Sequence, residues 1–126
     1  MLRRPRTWFV ALALWFTVLF AISHQSKLHP PGPDFPGVDK VHHTAYFTLG
    51  GICVFLGLRL AKPQAQTAII AGLTVAFCSA CGVFDEVHQS FIPNRSGNDL
   101  GDWLADTLGG VLGALAGSRI YRRLSA

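Results

Sequence analysis

Charged residues are scarce in this sequence. Only 14% of its 126 residues are Asp, Glu, Lys or Arg, against roughly 25% in an average soluble domain. Carboxylates are the rarest, at seven. Cysteine is sparser still, at three. Of the three, Cys78 and Cys81 form a C-x-x-C inside an apolar run with no second pair, which favours small buried apolar residues over a redox or zinc role. No H-E-x-x-H occurs. A basic stripe interleaved with aromatics is also missing, so the net charge of +4 does not point to nucleic acid. The length allows a single domain, 1–126.

What the chain has instead is long uncharged runs. Thr7 to Ser23 is 17 residues without a formal charge, and Pro63 to Phe84 is 22. Val41 to Leu58 is nearly as clean, with histidines only at its start. Thr107 to Ser118 is apolar but short unless its helix begins near Asp102. A bilayer core needs about 20 apolar residues, with about 17 as a lower limit. These runs predict an all-α integral membrane protein, a compact bundle of four spanning helices over about 7–23, 42–60, 66–84 and 102–119. A soluble bundle with very apolar helices is the competing reading, and uncharged runs of this length weigh against it. Residues 1–23 also have the outline of a signal peptide, with a basic start and Ala21-Ile22-Ser23 as exit. The apolar run is long for that role, which favours a retained helix.

The basic residues set the expected topology. Arg3, Arg4, Arg6, Arg59, Lys62, Arg119, Arg122 and Arg123 fall at one end of a four-helix chain, and Lys27, Lys40 and Arg95 at the other. The positive-inside rule puts the eight-residue end, with both termini, in the cytoplasm of a multi-pass cell-membrane protein.

The few acids are not scattered. Five of them lie between Phe84 and Asp106, and a second polar cluster runs from Val38 to Tyr46. Both emerge at the extracytoplasmic end. At helical spacing Asp39, His42, His43 and Tyr46 share neighbouring faces, as do Asp85, His88 and Gln89. Asp99, Asp102 and Asp106 line up if the last helix reaches back that far. Asp102 suits a helix cap, whereas Asp106 is already a full turn inside, where an ionisable group normally faces the bundle interior or a wet cavity. Gly109, Gly113 and Gly117 form a doubled G-x-x-x-G, a strip for close helix packing that also allows a homodimer. The loop from His24 to Gly37 holds four prolines, so it is expected to be extended and stiff and able to cover the polar mouth. Pro93 ends the third helical region, and Asn94 to Gly101 reads as turns. Arg95 then faces the acids as a lone cation, either in a structural salt bridge or as a clamp for phosphate or carboxylate.

Three motifs in this order resemble the VanZ-like membrane proteins: Asp39-Lys40 with His42/His43 and Tyr46, then Asp85-Glu86-x-His88-Gln89-x-Phe91-x-Pro93-x-Arg95, then Asp102-x-x-x-Asp106-x-x-Gly109. The likeness covers nearly the whole chain. Aligning on Tyr46 selects His42 as the family histidine, and counting from Asp39-Lys40 selects His43. Asn94 stands where the family often has glycine. The resemblance implies a four-helix membrane protein, a link to resistance to the glycopeptide teicoplanin through the family's namesake, and chemistry on lipid head groups or lipid-linked cell-wall intermediates.

The leading expectation is an enzyme, a hydrolase or transferase acting on a phosphate-bearing lipid head group. His42 or His43 would serve as base or nucleophile. Asp85, Glu86, Asp102 or Asp106 would orient that histidine or donate a proton. Arg95 with Lys40 would hold the phosphate, and Asp39, Tyr46, His88 and Gln89 would complete the binding surface. No resident cofactor is expected, although His with Asp and Glu leaves room for Mg²⁺, Mn²⁺ or Zn²⁺. Two other readings stand beside it. One is a non-catalytic module binding an anionic lipid, a glycopeptide or a partner protein. The other is a polar cluster that only fixes helix register.

Overall fold

The computed structural model describes residues 1–25, 35–95 and 97–126. The expected cover over the mouth falls mostly on 26–34, with Lys27, Pro30, Pro31 and Pro33, and so lies outside the described residues. Four helices account for most of the rest: α1 (Pro5–Ser23), α2 (Val38–Ala61), α3 (Thr67–Ser90) and α4 (Leu100–Ser125). The all-α four-helix architecture is as expected.

Three of the helices, α1, α2 and α3, are long and apolar enough to cross a membrane. The fourth has 26 residues, or about 39 Å at 1.5 Å per residue, which exceeds the ~30 Å hydrocarbon core. It falls short in apolarity rather than length, because its inward face is built of Asp and Gly. α4 runs parallel to α2 at the same level. Gly109 faces Phe47, Gly113 faces Gly51 and Gly117 faces Phe55. The glycine strip is therefore spent within the chain. At Gly113 an added Cβ would lie 2.7 Å from the Gly51 Cα and from the Thr48 carbonyl oxygen, so the two backbones touch without intervening side chains.

The helix ends extend past the expected boundaries wherever polar side chains find partners. α2 begins at Val38 rather than near 42. Gly37 enters it with φ 83°, a left-handed conformation that glycine adopts without strain. α3 continues past Phe84 to Ser90, because Asp85, Glu86 and Gln89 turn inward. Asp99, not Asp102, caps α4: its carboxylate accepts the Gly101 N–H at 2.7 Å and the Asp102 N–H at 3.4 Å. The Gly101 N–H, helped by Lys40, holds the Asp99 carboxyl below the usual carboxylate range. Its stabilising effect is therefore complete above the ordinary carboxylate pKa and lost as pH falls through the lowered one. Asp99→Ala is expected to lower the thermal unfolding midpoint in detergent, and Asp99→Asn, which keeps a capping oxygen, to restore most of it.

α1 is tied into the bundle by a reciprocal pair. Trp15 Nε1 donates to the Tyr46 carbonyl at 2.9 Å, and the Tyr46 hydroxyl donates to the Trp15 carbonyl at 2.8 Å. The Trp15 ring lies over Gly50, where an added Cβ would be 2.5 Å away. Successive helices alternate in direction, so both termini lie at the same end. There Arg59 donates to the Ala65 carbonyl at 2.6 Å and lies 4.9 Å from the centre of the Tyr121 ring. The opposite end collects the last turns of α1 and α3 and the first turns of α2 and α4.

Candidate polar site at the converging helix ends

Four carboxylates are buried where these ends meet. Asp106 is 0% exposed, Asp85 2%, Glu86 4% and Asp102 7%. Such burial is costly unless each charge has partners, so the partners define the site.

His43 is the centre. Its Nδ1 lies 2.8 Å from Asp106 Oδ1, and its Nε2 lies 3.8 Å from Asp102 Oδ2. A carboxylate only accepts, so with Asp106 ionised the ring proton sits on Nδ1 and Nε2 is left as the basic nitrogen. His42, one residue earlier, is exposed. The helix thus selects between two histidines that the sequence left open, because a 100° step separates adjacent side chains and only one of them faces α4.

Asp106 has its seat on α3. Gly82 leaves the space: an added Cβ there would lie 2.8 Å from Asp106 Oδ2. Gly82, Asp85, Glu86 and Gln89 share one face at helical spacing. Asp85 accepts from Gln89 Nε2 at 2.8 Å and from the Ser23 hydroxyl. Glu86 Oε2 accepts the Asp99 N–H at 2.6 Å, tying the α3–α4 loop back to α3. Among the described residues, Glu86 Oε1 and Asp106 Oδ2 have no hydrogen-bond partner.

Lys40 is the cation of this cluster. Its ammonium lies 2.7 Å from Asp102, 3.0 Å from Asp39 and 3.4 Å from Asp99. No carboxylate among the described residues is within salt-bridge distance of Arg95, which sits in the α3–α4 loop beside Asn94, a residue at φ 63°. That left-handed turn is one that glycine or asparagine accommodates. Tyr46 commits its hydroxyl to Trp15. His88 is separate from the acids: its Nε2 is 3.3 Å from His24 Nδ1, and its ring stacks 4.6 Å from that of Phe20.

His43, Asp85, Glu86, Asp102 and Asp106, with Gln89 and Lys40, therefore form one site, and Asp39 sits at its rim. Sequence reasoning missed Ser23, which reads as the end of an apolar run, and Gly82, whose signal was its place one turn before Asp85. It put Asp99 on a helix face rather than at the cap.

Beside the site, α2 and α4 leave an open groove of about 640 Å³. Lys40 stands at its polar end, and Val41, Thr44, Leu104, Leu108 and Leu112 line it. A family model described as VanZ/LLP1 matches residues 5–121. Neither a curated protein nor a solved structure matches the chain.

Proposed function

The chain belongs to the VanZ/LLP1 family, and from that premise we propose that its polar site acts on a phosphate-bearing lipid head group. The observation that carries the reading is the His43–Asp106 pair, a ring nitrogen 2.8 Å from a fully buried carboxylate. Such a pair fixes the tautomer and orientation of a base, which a merely solvated histidine would not need. Nε2 would take the proton from an attacking water or alcohol, while Glu86, whose Oε1 has no partner among the described residues, returns one to the leaving oxygen; Asp102, paired with Lys40, would orient rather than donate. Lys40 and Arg95 would meet the phosphate, and the groove between α2 and α4 would take an acyl chain. On this reading the basic end, with both termini, is cytoplasmic and the site opens extracytoplasmically in the cell membrane. Lipid-linked cell-wall intermediates carry the same phosphate chemistry, which is how a link to glycopeptide resistance would arise.

The discriminating experiment compares His43→Gln with His42→Gln on lipid extracts read by mass spectrometry. The reading expects a new head-group product from wild type and from His42→Gln, and a loss of about a hundredfold or more in His43→Gln. Equal activity of the two variants removes the reading.

A further inference from the structure

We propose that His43, Asp85 and Asp106 form a binding site for one divalent transition cation, of the manganese or zinc type. The inference concerns binding and stands apart from the lipid reading.

Three observations support it. First, each of the three residues offers a ligand atom, and the three atoms lie within 4.8 Å of one another. Two ligands on one such ion at about 2.1 Å are about 3.4 Å apart in a tetrahedral set and at most about 4.2 Å apart, so the widest pair must close by roughly half an ångström to an ångström and a half. Second, Asp106 is fully buried, yet its Oδ2 has no hydrogen-bond partner among the described residues. That oxygen lies against Gly82, on the α3 face that carries Asp85 one turn on. A buried carboxylate oxygen without a donor is costly, and a bound cation would satisfy it. Third, with all four buried carboxylates Asp85, Glu86, Asp102 and Asp106 ionised, their charge exceeds that of Lys40 and a protonated His43 by that of one divalent ion, so a bound ion would let all four stay ionised.

The surroundings suit a metal ligand set. Asp85 is held by the Ser23 hydroxyl and by the Gln89 amide, outer partners of the kind that orient a ligating carboxylate. One imidazole with two carboxylates favours manganese or zinc over magnesium or calcium, which prefer oxygen alone. Binding exchanges the His43–Asp106 hydrogen bond for a shared ion and releases any proton carried by the coordinating ring nitrogen. His43 is then a ligand in the loaded protein and a base in the empty one. Lys40 occupies Asp102 and keeps it out of the set.

The test uses the full chain in detergent, stripped with EDTA and titrated with manganese chloride. The expected result is saturable binding of about one ion per chain, a rise in thermal unfolding midpoint, and a ¹⁴N coupling from one imidazole in the pulsed EPR spectrum. His43→Gln should abolish the coupling. Asp85→Asn and Asp106→Asn should weaken binding by at least about tenfold, with circular dichroism confirming their helix content. The wild-type spectrum decides the matter even if a variant fails to fold. No saturable binding, or a bound ion without nitrogen coupling, overturns the inference. So does a coupling that survives His43→Gln.

Discussion

On the proposed head-group chemistry, Asp106→Asn is expected to lower turnover by about a hundredfold or more while leaving the protein as stable as wild type or more so. The two effects have one cause. Asn keeps the size and a hydrogen-bonding oxygen of Asp106, so the seat against Gly82 stays filled. It removes the negative charge that holds the proton of His43 on Nδ1 and stabilises the ring when Nε2 takes a second one. It also removes a charge from a group that is 0% exposed beside three other buried carboxylates, which relieves their repulsion, and His43 can then stay neutral, so no buried charge is left without its partner. Turnover and thermal unfolding of one preparation therefore separate the readings. A cluster that only fixes helix register predicts the reverse, lost stability with no specific loss of chemistry.

Gly113→Leu is expected to disrupt the α2–α4 contact at a cost of about 2–3 kcal/mol or more. The atoms an added Cβ would meet, the Gly51 Cα and the Thr48 carbonyl oxygen at 2.7 Å, are backbone and cannot rotate away. The helices must separate, and with them the face of α2 that carries His43 and the face of α4 that carries Asp106. Gly72→Leu is the control. An added Cβ there meets nothing within 4 Å, so stability should be unchanged or slightly raised by the better helix former. The check is thermal unfolding of the two variants in the same detergent. Equal midpoints would mean that the glycine strip does not hold the bundle.

The helices were legible because uncharged runs and clustered arginines are one-dimensional signals. The site was legible as a gathering of residues, since five of seven acids fall in one stretch and helical spacing aligns Asp85 with Gln89 and Asp102 with Asp106. The pairings within it were less legible, because they depend on rotation and depth between helices distant in sequence. His43 rather than His42 faces α4 by a single 100° step. Lys40 rather than Arg95 meets the carboxylates, because α2 begins at Val38 and carries Lys40 to the level of Asp102. Ser23 reaches Asp85 from a helix that has no other polar residue near that level. Gly82 is visible only once Asp106 is seen to need its space.

Head-group chemistry at the His43 site is tested most directly by ³¹P NMR of a lipid extract incubated with the purified wild-type protein. The expected spectrum shows a phosphorus resonance of a new head-group species that grows with time and protein concentration, and that does not grow with His43→Gln. A spectrum unchanged with wild type, alongside an anionic lipid that co-purifies and is never converted, would contradict it and leave a lipid-binding module in its place.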